Sequence, residues 1–174
     1  HNLGTLGFEL APWALTVMAA GGECIFPQDP LVPHTENFLP VRPLVLWSYT
    51  DMSDPRWTWG RRLIRLRHDA DRGPQKEGAF VRQGWAAYRL GADLFMKRFP
   101  AIEGGHYPDF GCNFETFTRH DMLEVESVGL LETVAPGDYA SMRESWTVVG
   151  SSGLPDDEDD AEAFLQSLAD GLQP

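Results

Sequence analysis

Lysine, cysteine and positive charge are all scarce in this chain, and each shortage excludes something. Two cysteines among 174 residues, Cys24 and Cys112, fit neither a disulfide framework nor a metal-ligand spacing, so they read as small buried hydrophobes. Fourteen basic against 26 acidic side chains leave a net charge of −12, which argues against a nucleic-acid backbone or an anionic membrane as partner. No stretch approaches the roughly 20 uninterrupted apolar residues of a membrane span. The expectation is a soluble protein, leaning to the cytoplasm. Also missing are an HExxH pair, a nucleophile elbow, a phosphate loop and a dinucleotide fingerprint. No protein-built metal centre, no cofactor and no serine or cysteine nucleophile is therefore expected. The sequence starts His1-Asn2-Leu3 with no signal-peptide pattern, so a removed leader or the later part of a longer polypeptide is expected.

What is present points to β-structure. Apolar residues make up 43%, aromatics 11%, with 17 Gly and 13 Pro, too apolar for disorder and too rich in breakers for a helical bundle. The run Phe8 to Met18 reads as a strand, and Gly21-Gly22 as a turn leading to a hairpin partner in ECIFPQ. Five prolines between Pro27 and Pro43 predict a long extended loop. Further strands are expected in PLVLWSY, WTWGRRLIRLRHD, GAFVRQGWAAYRL, ADLFMKRFP, CNFETFT, MLEVESVG and SMRESWTVVG, the third and fourth of these as a hairpin across residues 90–93. Short connections without helical crossovers predict an all-β, antiparallel β-sandwich or barrel over residues 1–150. Residues 151–174 read as an acidic linker and a short C-terminal helix, its acidic first turn facing the positive end of the helix dipole.

Period-2 alternation supplies the first chemical signal. Asn113 and Glu115 share one face of their strand, and Glu124 and Glu126 share one face of the next. Paired as a hairpin, these strands set up to three carboxylates and an amide on one surface. Carboxylates among aromatic rings suit a sugar, since the oxygens accept its hydroxyls while the rings stack on its face. The plainer reading is the solvated face of a sandwich. Trp57 and Trp59 beside Arg56, Arg61 and Arg62 fit carbohydrate stacking and core packing equally. His106, after Gly104-Gly105, is the best-placed acid/base imidazole; the plainer reading makes it structural.

Three stretches carry a family resemblance: LAPWALTVMAAGG, VLWSYTDMSDPRWTWGRR and YPDFGCNFETFTRHDMLEVESVGLLETVAPG. Together they resemble the later half of galactose-mutarotase-like proteins, above all an uncharacterised bacterial branch. The resemblance implies part of a β-supersandwich and a cleft for a carbohydrate or sugar phosphate. Aldose 1-epimerases of this superfamily carry a catalytic Glu in a late strand, and Glu124 falls at the similar point, as general base. Their acid His lies in the strand that here reads Leu10-Ala11-Pro12-Trp13-Ala14, so Trp13 stands in its place. Asp51 aligns with a substrate-binding Asp. A half-domain would expose sheet edges, so a homo-oligomer or association with an N-terminal half is implied.

The expected site is then Glu124 and His106 as catalytic groups, with Trp13, Asp51, Arg62, Lys76, Lys97, Asn113 and Glu115 as substrate contacts. Lys76 and Lys97 are included because they are the only two lysines in an arginine-rich chain. The alternative functions are a non-catalytic interaction module with a degenerate sugar cleft, and a lyase or hydrolase acting on an oligosaccharide. The last would need a partner such as Tyr107 across from Glu124.

Overall fold

The computed structural model describes residues 1–150 and 153–172. Thirteen strands and one helix follow in order. They are β1 (Phe8–Leu10), β2 (Trp13–Met18), β3 (Glu23–Pro27), β4 (Leu44–Leu46), β5 (Trp57–Trp59), β6 (Leu63–Arg67) and β7 (Gln75–Ala79). Then come β8 (Trp85–Leu90), β9 (Asp93–Arg98), β10 (Phe114–Arg119), β11 (Met122–Val128), β12 (Glu132–Val134), β13 (Ser145–Gly150) and α1 (Glu158–Asp170). Every strand pairing is antiparallel. One sheet has five strands in the order β2-β11-β10-β7-β4, a second has six in the order β13-β9-β8-β3-β6-β5, and β1 pairs with β12 alone. The chain is an antiparallel β-sandwich with a short C-terminal helix.

Alternation builds the layers. Phe114, Leu123 and Val125 from the five-stranded sheet meet Cys24, Phe26, Ile64, Leu66, Tyr88 and Phe95 from the six-stranded sheet in the main core. On the far side of the six-stranded sheet, Ile25, Leu63, Trp85, Leu94 and Met96 pack against Ala161, Leu165 and Ala169 of α1. The helix starts at Asp157, whose carboxylate accepts from the Asp159 and Asp160 amides. Its first turn is locked down by Glu158, which accepts backbone N–H bonds from Arg61, Arg62 and Leu63 at 3.2, 2.9 and 2.9 Å. Among the described residues, no helix packs on the outer face of the five-stranded sheet.

Several connections differ from the sequence reading. The run Phe8 to Met18 is two strands, broken at Ala11-Pro12 where proline cannot donate to a ladder. β2 and β3 do not form a hairpin: the turn at Gly21, with φ 97°, carries the chain from one sheet to the other. GAFVRQGWAAYRL likewise splits into β7 and β8, which lie in different sheets. The crossing turns at Gly84 (φ 66°), whose N–H bonds the Val81 carbonyl. WTWGRRLIRLRHD is the β5–β6 hairpin, while the β8–β9 and β10–β11 hairpins pair as the sequence predicts. Among the described residues no helix is long and apolar enough to cross a membrane.

Candidate functional site on the uncovered sheet face

The register of the five-stranded sheet decides which side chains meet. Glu115 on β10 lies opposite Glu126 on β11 and Gly78 on β7, and Phe117 lies opposite Glu124 and Lys76. On the β11 side, Leu15 and Val17 of β2 continue the rows of Glu126 and Glu124. Side chains two apart point the same way, so Lys76, Glu115, Phe117, Glu124 and Glu126 all project from the uncovered face.

Lys76 is the centre of the group. Its Nζ is 2.7 Å from Glu115 Oε2 and 3.1 Å from each carboxylate oxygen of Glu126. The same ammonium lies 5.2 Å from the Trp13 ring centroid and 4.8 Å from that of Trp47, within cation–π range. Trp13 also donates its indole N–H to Glu126 Oε2 at 2.9 Å. Although they stand on an uncovered face, Glu115 and Glu126 are only 1% and 0% exposed, while Trp13 remains 53% exposed. Aromatic rings therefore shelter the charges and present their own faces to solvent.

Two further aromatics complete the surface. Tyr49, in the loop after β4, meets Phe117 edge-on with centroids 6.5 Å apart. The loop is held by Thr50, whose hydroxyl donates to the Lys76 carbonyl while accepting the Trp47 amide. Gly78 allows Trp47 to lie close: a Cβ there would sit 3.3 Å from the indole and 2.7 Å from the Cys112 sulfur. Beyond β10's start, Asp109 and Phe110 both hold positive φ, 48° and 60°, an uncommon pair for residues with side chains. Phe110 is left 94% exposed.

Burial and charge tune these groups. Desolvation raises Glu115, against the opposing pull of Lys76, to about 7. Burial also raises Glu126, again opposed by Lys76, with the nearby Glu124 charge adding to the rise. Desolvation pulls Lys76 down, yet the two carboxylates outweigh it and hold the ammonium above its usual value. Burial lifts the Tyr49 phenol as well. One carboxylate oxygen, Glu115 Oε1, is buried without a hydrogen-bond partner among the described residues, a costly condition that a ligand hydroxyl would relieve. Glu124, 9% exposed, makes none of the hydrogen bonds within the group.

Of the residues expected from sequence, Trp13, Lys76, Glu115 and Glu124 converge here. The others do not. Asn113 is fully buried and pins the β7–β8 crossing, accepting the Val81 N–H and donating to the Val81 and Pro100 carbonyls. Lys97 lies between the sheets with no exposure, donating to the Ala14 and Val125 carbonyls and Thr16 Oγ1 and pairing with Glu144 at 2.8 Å. Arg62 is an anchor for α1 through Asp159 at 3.0 Å. Asp51 caps its own turn by accepting from the Ser53 amide and hydroxyl, bonds that hold its carboxyl below the usual range. His106 sits exposed in the loop after β9, with its carbonyl accepting the Leu131 N–H and no contact to the Lys76 group. Tyr107 is buried against Phe80, its hydroxyl accepting the Ile102 amide. Trp57 takes the core reading, with its indole on Gln75, and stacks on Trp59.

Sequence reasoning left Trp47 and Tyr49 out of the site. Trp47 and Tyr49 lie just past a three-residue strand, where no alternation fixes a face. Glu126 was signalled by its shared face with Glu124. Among the described residues, no group of three or more His, Cys, Asp or Glu is arranged to hold a metal ion. Compared with protein-family models, with curated proteins and with solved structures, the chain matches none.

Proposed function

We propose that the uncovered face of the five-stranded sheet binds carbohydrate. The observation that carries this reading is an ionic group, Lys76 with Glu115 and Glu126, sheltered by two tryptophans and left with one unpartnered carboxylate oxygen. A sugar ring offers what such a surface lacks. Its C–H face stacks on an indole, and its hydroxyls both donate to carboxylates and accept from an ammonium. Trp13, Trp47 and Tyr49 form the stacking surface, and Lys76 and Glu124 reach the hydroxyls. Trp13, at the exposed edge strand, is the cover that shifts to admit hydroxyls to Glu115. The resemblance of the sequence to galactose-mutarotase-like proteins points the same way.

A second reading, aldose 1-epimerase-like exchange of anomers, is favoured by one observation: Glu115 is raised to about 7, where a carboxyl is an effective acid or base at neutral pH. Glu124 takes the proton of the anomeric hydroxyl while protonated Glu115 gives its proton to the ring oxygen. The bond from C1 to the ring oxygen breaks as the C1 carbonyl forms. Rotation about C1–C2 and the reverse transfers then close the other anomer. The non-catalytic module differs only in lacking this step.

NMR exchange spectroscopy on a panel of free sugars tests both readings in one tube. Line broadening that Trp13→Ala abolishes supports binding at this face, and cross-peaks between α and β anomers that Glu124→Gln abolishes support catalysis. Broadening without cross-peaks leaves a binding module. Absence of both contradicts the proposal.

A further inference from the structure

A cavity lies away from the tryptophan-covered face, at one end of the six-stranded sheet. It encloses about 960 Å³ between the β2–β3 turn, the segment before β5, the loop after β6 and the β8–β9 turn. A volume of this order is that of a small-molecule site. Four of the twelve arginines line it, Arg56, Arg67, Arg72 and Arg89, against two carboxylates, Glu23 and Asp69. Asp54 pairs with Arg56 and Arg72, so the cleft keeps a small excess of positive charge in a chain of net charge −12. The rest of the wall is glycine, alanine, proline and His68. With no aromatic or large aliphatic side chain, it is unsuited to an apolar ligand or to sugar stacking.

The arginines are held in place and keep donors to offer. Arg56 is 2% exposed and fixed by a two-point bond to Asp54, Nε to Oδ1 at 3.1 Å and Nη2 to Oδ2 at 2.9 Å. Its Nη2 also donates to the Gly73 carbonyl, while its Nη1 is buried with no hydrogen-bond partner. A buried guanidinium nitrogen without an acceptor calls for one. Arg67, exposed on the opposite strand, donates from Nη2 to the Pro55 carbonyl at 2.8 Å. Arg72 leans on Asp69 at 3.3 Å, and Arg89 pairs with Glu23. His68 is engaged at both ring nitrogens, accepting the Gly21 amide at Nδ1 and meeting the His120 carbonyl at Nε2.

We propose that this cleft is a binding site for a phosphate group, free or carried on a small molecule. Four arginines lining one cavity, from the segment before β5, from the end of β6 and the loop after it, and from β8, suit a tetrahedral oxyanion, whose oxygens point to several sides at once; a planar carboxylate is satisfied by one fork. The site shares no residue with the sugar-binding face, and its failure would leave that reading intact.

Calorimetric titration tests it with inorganic phosphate, pyrophosphate and glucose 6-phosphate as probes. Saturable binding is expected, weakened at least about tenfold by Arg67→Ala and by Arg72→Ala, both exposed positions whose truncation spares the core. Tighter pyrophosphate than ester binding identifies a free oligophosphate, and the reverse order a phosphate ester; either order supports the site. Three results overturn it: no saturable binding of any probe, affinities unchanged in both variants, or binding that only Trp13→Ala removes, which places the anion on the other face.

Discussion

Lys76 Nζ stands 2.7 Å from Glu115 Oε2 and 3.1 Å from both oxygens of Glu126, so one ammonium holds together two carboxylates that cannot otherwise share a buried space. Removing it leaves two like charges buried beside each other. Lys76→Met is expected to cost about 3 kcal/mol, measured as a lower denaturation midpoint. Adding Glu115→Gln and Glu126→Gln to it should recover most of that loss; additive penalties would contradict the coupling.

The raised carboxyl of Glu115 makes stability fall with pH. Its folded value of about 7 lies above the usual 4.5, so between these values the folded state holds more proton than the unfolded one, and stability drops as pH rises through that window. The drop attributable to Glu115 is at most about 3 kcal/mol. Denaturant titrations from pH 4 to 8 should show this slope in the wild type and a flatter one in Glu115→Gln.

Glu77 contributes in the same direction. It has no exposure, neither carboxylate oxygen has a hydrogen-bond partner, and burial pushes it well above the ordinary carboxylate range. Glu77→Gln keeps the shape without the ionisable proton. It should leave stability at acid pH nearly unchanged and raise it relative to wild type as pH rises and the wild-type carboxyl loses its proton. An equal effect at both ends of the range would contradict this.

Gly78 is where the stacking surface depends on the absence of a side chain. A Cβ there meets the buried Cys112 sulfur at 2.7 Å and the Trp47 indole at 3.3 Å. Gly78→Ala should destabilise by about 1–3 kcal/mol and weaken sugar binding by displacing Trp47. Unchanged binding affinity in a folded Gly78→Ala protein would remove Trp47 from the site.

One carboxylate ties the first turn of the helix to the backbone of the β5–β6 hairpin. Glu158 accepts three backbone N–H groups, and these bonds, against the effect of burial, hold it below its usual pKa. Glu158→Ala leaves the Leu63 and Arg62 amides unpaired and should cost about 2 kcal/mol. Hydrogen exchange should then quicken first in α1; uniform change across the sheets would contradict this role.

Strand alternation made the β10–β11 hairpin readable, and with it the shared face of Glu115, Glu124 and Glu126. The helix was equally plain, because acidic residues precede a 3.6-period apolar stripe. What alternation cannot tell is which sheet a strand joins. Residues 78–90 read as one strand, yet Gly84 turns the chain into the second sheet. The rarity of lysine picked out two residues, one at the centre of the candidate site and one in the core. Lys97 differs from Lys76 only in pointing between the sheets, a distinction set by pairing partners far along the chain. Trp47 and Tyr49 reach the site through a loop, where no periodicity applies.

The central claim is tested most directly by the indole N–H resonances during titration with free sugars. Trp13 and Trp47 should shift together and saturate with one affinity, while Trp57 on Gln75 and Trp85 on Gln166 stay fixed. A sugar that moves the buried pair and leaves Trp13 and Trp47 still, or a panel of sugars that moves none of the four, would contradict carbohydrate binding on this face.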